Sequence, residues 1–461
     1  MANAEGAGGV QELRRTTVRR SGSAVIAAPE AAAHPAASHL GQVYTWGFCT
    51  HGQLGLREKI LGAREYVDAP AHVGAGSALS GIEVKAAACG HFHTLLADAR
   101  GNVYAFGRDD RCQLGDSDDA PLAEGQRRGH VPRRIKSLAT HVVVDVACGA
   151  FHCLALTADG ALLSWGWNRH GQLGRPTAGQ ADPLPGLVFG DGAGGRAGPA
   201  RSFAAGYAHS AAVLASGRLA AWGGNEHGQL GTGLATRRAE AAAAAPVFAN
   251  DVLAAQVAAG DNHLLVATVD GGVIAVGDHR YGQLGPDFLD ASGQLQPGVF
   301  ATVPGLPVES DAATEHVWAV AGGGATNAAI SSCGRLFTWG GGVWGQLGRG
   351  DRSDQAVPQA VRGLPPVLSV AVAQDHMLAV CAGLQPQLEP ASSPQGGGKR
   401  ASLWAWGRRR LLPAGGAAEA GDCTADWSRS GGSRGALPAG VASAAGTAEA
   451  GSCAANSPRP G

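Results

Sequence analysis

WGWNRHGQLG occupies residues 165–174, and its frame returns along the chain. It stands as WGFCTHGQLG at 46–55, FGRDDRCQLG at 106–115, WGGNEHGQLG at 222–231, VGDHRYGQLG at 276–285 and WGGGVWGQLG at 339–348. A seventh half-copy, LWAWGRRR, begins at Leu403 and lacks the second half. Self-similarity of this kind marks a repeat architecture. The Gly that closes each strand falls at Gly47, Gly107, Gly166, Gly223, Gly277, Gly340 and Gly407, in steps of 54 to 67 residues.

The stretches before these glycines, such as GNVYAFG and GRLFTWG, are short and rich in β-branched and aromatic residues, which is strand chemistry. Side chains alternate faces along a strand. In LFTWG, Leu336 and Thr338 point one way while Phe337 and Trp339 point the other. Such a strand needs cover on both sides. Each follows another apolar run across a Gly-marked hairpin turn, as in HCLALTADGALLSWG. A third run ending in small residues lies upstream, as in VVVDVACG, and a fourth, weaker strand is expected near PRRIKSL or PQAVRGL.

Three to four strands per unit, about sixty residues per unit and seven units predict an all-β fold, a seven-bladed β-propeller. Radial repetition lets each small sheet cover its neighbour's faces and protects the edges. An open β-solenoid is the alternative, but its turns are much shorter. Within the frame, the Trp is expected as a wedge between blades, the Leu as an apolar plug, and the Gln as a partner for backbone groups of the turn. The structural roles fall on Trp46, Gly47, Gly52 and Gly55; on Trp165, Gly166, Gly171 and Gly174; on Trp222 and Gly223; and on Trp339 and Gly340.

The chain has 461 residues, with 36 Lys plus Arg against 37 Asp plus Glu. A net charge of -1 supplies no global field toward nucleic acid or anionic membrane, so neither DNA nor chromatin is the expected ligand. The nine cysteines are odd in number and follow no secretory signal, which predicts a reducing compartment, cytoplasmic or nuclear, rather than a disulfide framework. No apolar run reaches the length of a membrane-spanning helix.

Residues 1–40 read as a flexible tail. Arg14, Arg15, Arg19 and Arg20 among Ala and Ser are similar to an organelle transit peptide, and Glu5, Glu12 and Glu30 oppose that reading. Residues 41–407 hold the propeller, with 382–400 a flexible insertion and 408–461 a low-complexity tail. The strand at 41–47 lacks a hairpin partner ahead of it. Either SAVIAAPEAAAHPAASHL or the C-terminal ALPAGVASAAGTAEAGSCAANSPRPG supplies one, and a ring closed by strands from both termini is expected.

These motifs resemble the regulator of chromosome condensation repeat family. ACGHFHT at 88–94 and ACGAFHC at 147–153 match its Ala-Cys-Gly-x-x-His-Thr turn, while His209, His263 and His376 keep the His and Asn327 stands where the fifth His is expected. The resemblance covers roughly 41–407. It implies a seven-bladed propeller and three functional classes: exchange factors for a Ran-like small GTPase, the plant UV-B photoreceptor, and binding modules of larger proteins such as ubiquitin ligases. Fold alone does not choose among them. The photoreceptor's Gly-Trp-Arg-His-Thr motif would fall on His91-Phe92, Ala150-Phe151, Tyr207-Ala208, Asp261-Asn262 and Gln374-Asp375, none of which is Trp or Arg. The first five repeats have near-uniform lengths and leave no room for the inserted wedge of the chromatin-bound exchange factor. DWSRSGG at 426–432 resembles the tail of secretion-regulating members.

No enzyme motif survives its context. GGSRG at 431–435 lies in low-complexity sequence, not between a strand and a helix. Cys89, His91 and His93, and Cys148, His152 and Cys153, have ligand-like spacing, yet the period places the two sets in different blades in the same turn role. No metal or cofactor is therefore expected. The residues between Trp-Gly and GQLG differ from unit to unit, and variable loop residues are free to read a partner. Asp109, Asp110, Arg111, Arg169, His170, Glu226, His227, His279, Arg280 and Trp344 are expected to form a mixed-charge rim for a protein partner. The expected function is a non-catalytic protein-interaction propeller; the alternative is a nucleotide-exchange regulator of a small GTPase.

Overall fold

The computed structural model describes residues 18–19, 25–27, 43–56, 66–73, 77–116, 131–190, 198–233, 246–286, 298–308, 315–382 and 401–407. Within them the strands fall into seven successive antiparallel units. Blade one runs through Val25–Ala27, Val43–Phe48 and Tyr66–His72. Blade two contains Val84–Cys89, His93–Asp98, Val103–Gly107 and Arg133–Arg134. Blade three contains Val143–Cys148, His152–Thr157, Leu162–Trp167 and Ala181–Phe189. Blade four has Ala200–Ala205, His209–Leu214 and Arg218–Gly223. The long strand Val247–Ala259 gives its first half to blade four and its second half to blade five. Blade five continues with His263–Thr268, Val273–Gly277 and Ala301–Thr302. Blade six holds Val317–Gly323, Thr326–Ser331, Leu336–Gly340 and Gln355–Ala360, and blade seven Val367–Val372, His376–Ala382 and Ala401–Gly407. The weak fourth strands expected near PRRIKSL and PQAVRGL are present as Arg133–Arg134 and Gln355–Ala360.

Both faces of the central strands are covered. Val103–Gly107 and Leu336–Gly340 are buried at every residue. The apolar clusters each bridge two blades: one joins Leu95 and Val103 of blade two to Leu163 and Trp165 of blade three, another joins Leu265 of blade five to Phe337 and Trp339 of blade six. Sheet-to-neighbour burial of this kind is what a two-sided apolar strand requires.

The repeated frame explains the seams. Trp165, Trp222 and Trp339 are fully buried. Each indole Nε1 donates to a main-chain carbonyl of the preceding blade's GQLG turn: Trp165 to Gln113 at 3.1 Å, Trp222 to Gln172 at 2.9 Å, Trp339 to Gln283 at 3.1 Å. A buried aromatic thus fills the wedge while its polar edge meets a partner. The frame Leu is buried in all six turns. The Gln side-chain carbonyl accepts the N–H two residues earlier at 2.8–2.9 Å in all six. At Gly171 and Gly174 the backbone has φ of 78 and 66, a region that costs side-chain-bearing residues dearly. Trp46 is only half-buried. The blade before it in the ring is the seventh, whose half-copy has no GQLG carbonyl to receive its indole.

The central ends of the blades are stitched by main-chain bonds: Ala150 N–H donates to Tyr207, Tyr207 to Asp261, and Asp261 to Gly324. These residues belong to the Gly-x-x-His turns of blades three to six. In blade six the register places Thr326 opposite Gly340, as His263 stands opposite Gly277. The fifth His position is therefore Thr326, and Asn327 occupies the next one. The run of glycines in AGGGATN hides the offset in the sequence.

At the ring's junction, Val25–Ala27 pairs with Val43–Thr45, so the N-terminal SAVIAAP stretch supplies the partner that blade one needs. Val18–Arg19 runs parallel to the inner strand of blade two, Val18 opposite Ala87, and lies against Val367–Val372 of blade seven. Two short strands thus stand within the stretch read as an N-terminal tail. Residues 383–400 and 408–461, which include the expected insertion and low-complexity tail, lie outside the described residues.

Candidate partner-binding rim

Each frame turn places four residues between the strand-closing Gly and the GQLG turn. The second of these points inward and holds the turn. Asp109 Oδ1 accepts the N–H of Leu114 at 2.9 Å, Asn168 that of Leu173 at 3.0 Å and Asn225 that of Leu230 at 3.0 Å. His279 plays the same part with the N–H of Leu284 at 3.3 Å. Asp109 is buried and His279 half-buried. These two expected rim residues are turn caps, and the reason is local: a short acceptor at that place satisfies a main-chain N–H that the turn leaves open.

The next two positions face outward. Arg111, Arg169, Glu226, Arg280 and Trp344 are exposed, and His170 and His227 are half-buried. Asp110 is drawn into an ion pair with Arg108 at 2.5 Å, with Arg111 at 4.0 Å on its other side. Arg280 forks onto Asp278 at 2.7 Å. Burial pushes the Asp278 carboxyl up, but the Arg280 hydrogen bonds and charge win and hold it below the usual carboxylate range. Burial lowers the His170 imidazole, opposed by Glu226. Burial likewise lowers that of His279. The Cys112 thiol, buried and beside Asp109, is pushed up to about 11, so it is no nucleophile at neutral pH.

The structure adds to the rim residues to which sequence reasoning assigned no binding role. His91 and Phe92 of blade two, Phe151 of blade three and Tyr207 of blade four come from the Gly-x-x-His turns and meet edge to face or tilted, with centroids 5.3–6.4 Å apart. Trp167 stands 5.7 Å from Phe151 and 5.2 Å from His170, and His51 lies 4.6 Å from Phe92. The Arg108 guanidinium sits over the Phe92 and Phe151 rings at 5.6 and 5.8 Å. Four blades thus contribute to one continuous aromatic and cationic surface. Phe92, Phe151 and Trp167 are half-buried and Tyr207 is 37% exposed. The available signal was the residue directly after each strand-closing Gly, which is Arg108 in blade two and Trp167 in blade three. Of the expected rim, Asp110, Arg111, Arg169 and His170 border or join this surface. Glu226 and His227 in blade four, Arg280 in blade five and Trp344 in blade six continue along the later blades.

The model of the RCC1-like domain matches residues 118–411, and that of the regulator of chromosome condensation (RCC1) repeat matches 41–97. The chain belongs to the RCC1-like domain family. This RCC1-like chain is 30% identical to the ultraviolet-B receptor UVR8 of Arabidopsis thaliana over 79% of its own length and 72% of the receptor's. It is 30% identical to the bovine secretion-regulating guanine nucleotide exchange factor, over 74% of this chain and 72% of that one. It is 31% identical to the human probable E3 ubiquitin-protein ligase HERC6, but spans only 25% of that protein. The crystal structure of human WBSCR16 superposes with a TM-score of 0.65 at 26% identity, covering 78% of this chain and 85% of that one. Among the described residues, no helix of this RCC1-like chain is long and apolar enough to cross a membrane.

Proposed function

We propose that this RCC1-like chain is a non-catalytic protein-interaction propeller that binds its partner through the rim loops of the frame turns and the aromatic surface beside them. One observation carries the reading. The frame turns satisfy their own hydrogen bonds internally, while Arg111 and Arg169 are exposed and Phe92, Phe151, Trp167 and Tyr207 form one aromatic surface that keeps part of its area open to solvent. Arg and aromatic side chains are the anchors that protein interfaces favour. The reading places the protein in the cytoplasm or nucleus, with organelle targeting through the first forty residues as the alternative. Affinity capture with the wild-type chain, compared with Arg169→Glu and Trp167→Ala variants, tests it. A partner retained equally by all three contradicts the rim reading.

A second reading, regulation of nucleotide exchange on a small Ran-like GTPase, is favoured by the likeness to the bovine exchange factor along most of both chains. Release of fluorescent GDP from a panel of small GTPases separates the two. Acceleration on any member supports exchange, and none across the panel removes it. The photoreceptor reading is disfavoured, because the turn positions that would carry its Trp and Arg hold His91-Phe92, Ala150-Phe151 and Tyr207-Ala208 instead.

A further inference from the structure

The seam between blades two and three gathers an imidazole and two thiols: His93 and Cys148 stand at the His and Cys positions of the repeated Ala-Cys-Gly-x-x-His-Thr turn, and Cys153 stands where that motif has Thr. His93 comes from blade two; Cys148 and Cys153 stand directly opposite each other on neighbouring strands of blade three. Nε2 of His93 lies 3.2 Å from Sγ of Cys153, and the ligand atoms of all three residues lie within 4.8 Å of one another. All three are buried. Among the described residues no other group of three or more such side chains is gathered this way.

The neighbouring seams show what the repeat needs here. His152 Nε2 meets the Ser210 hydroxyl at 2.8 Å, and His263 Nε2 meets the Asn327 amide oxygen at 2.7 Å. Blade four carries Ala205 where blade three carries Cys148, and Ser210 where it carries Cys153. A hydroxyl or an amide is therefore sufficient for the seam. The ring of His93 is held in place by Gly90, where an added Cβ would come within 2.1 Å of Cε1. The cluster is thus a preset arrangement of two thiols and the Nε2 edge of an imidazole.

We propose that His93, Cys148 and Cys153 form a zinc site that fastens blade two to blade three. Thiolate sulfur and imidazole nitrogen bind zinc at about 2.3 and 2.0–2.1 Å, so donors around it stand within roughly 4 Å of one another, which the cluster matches after small side-chain shifts. Soft sulfur ligands select such an ion over magnesium or calcium. Zn2+ with two thiolates and a neutral imidazole carries no net charge, which the surrounding Leu95, Val103, Leu163 and Trp165 require of anything buried among them. Two thiol protons leave to solvent as the two Zn–S bonds form. The main-chain oxygen of Gln113, 3.3 Å from Cys153 Sγ, stands at hand as a fourth donor.

The test uses the full chain, refolded under reducing conditions with zinc or with cobalt as its spectroscopic stand-in, then freed of loose metal by gel filtration. The comparison is the Cys148→Ala, Cys153→Ser double variant, which copies blade four and so preserves a seam the fold already tolerates. The expected result is one zinc per wild-type chain, a thiolate-to-cobalt charge-transfer band, and a zinc-dependent rise in melting temperature, all lost in the double variant. Folded wild-type protein without bound metal or band overturns the proposal, and so does equal metal retention by the variant. If the variant does not fold, the cobalt spectrum and metal content of the wild type decide the matter alone.

Discussion

The indole Nε1 of Trp222 donates to the main-chain carbonyl of Gln172 at 2.9 Å, across the seam between blades three and four. The same carbonyl also accepts the Ser210 hydroxyl at 2.9 Å. Trp165 repeats the relation one seam earlier, on Gln113. One ring therefore closes an apolar gap and a polar one together. Replacing Trp165 or Trp222 with Ala is expected to cost about 3–5 kcal/mol, as for large buried aromatics. Trp222→Phe, which keeps most of the ring and leaves Gln172 its Ser210 bond, is expected to cost about 1–2 kcal/mol. Urea unfolding followed by circular dichroism measures both, and equal losses for Ala and Phe would contradict the wedge.

Gly174 and Gly217 both have left-handed φ, 66 and 84. Their surroundings differ. A Cβ at Gly174 would come 2.7 Å from the Trp222 ring, whereas at Gly217 nothing lies nearer than 3.6 Å. Gly217→Ala is expected to cost about 1–2 kcal/mol from backbone strain alone. Gly174→Ala adds a steric clash with a fully buried ring and is expected to exceed it by about 1–3 kcal/mol. The difference in denaturation midpoints between the two variants tests this assignment.

His376 in blade seven has its imidazole held below the ordinary histidine range by burial, with Asp375 pulling the other way. A depressed folded-state value means the unfolded chain binds the proton more readily. The stabilising contribution is thus fully present above about pH 6.5, the unfolded value, and is lost as pH falls through the folded one. His376→Thr, which copies Thr326 of blade six, is expected to lose less stability than the wild type between pH 7 and pH 5. Denaturation at the two pH values, compared between the chains, gives the difference directly.

The Arg111 and Arg169 side chains are exposed, and Arg111 enters the frame's hydrogen bonding through its main-chain N–H, which substitution of the side chain keeps. Reversing both to Glu is expected to change stability by no more than about 0.5 kcal/mol. Capture of a rim-bound protein partner is expected to fall at least about tenfold, or ~1.4 kcal/mol. Calorimetry of the variant and quantitative capture, run side by side, separate a lost contact from a damaged fold.

Much of the fold was legible because its cause is repeated. The Trp-Gly strand, the GQLG turn and the Gly-marked hairpins recur, with the frame Gln and Leu doing one job in all six turns and Trp165, Trp222 and Trp339 doing another in three, so the period survives local drift. What was not legible depends on contacts between repeats. Asp109 reads as a loop charge, yet its carboxylate caps the turn at Leu114. Thr326 was hidden behind Asn327 by a glycine run that blurs the offset. His93 and Cys153 stand sixty residues apart in different blades, and only packing across the seam brings them to 3.2 Å. The aromatic surface from Phe92 to Tyr207 likewise draws single residues from several units, so no one repeat announces it.

The central claim is that the frame loops and the adjoining aromatic surface are where this propeller meets its partner. The most direct measurement is photo-crosslinking from a reactive residue placed at position 169 in the frame loop of blade three, with one at position 187 on that blade's outer strand as control. The account predicts that position 169 traps a defined protein, that excess wild-type chain competes it away while the Arg111→Glu, Arg169→Glu variant does not, and that position 187 traps nothing comparable. The same partner trapped from position 187 and not from 169 would contradict it.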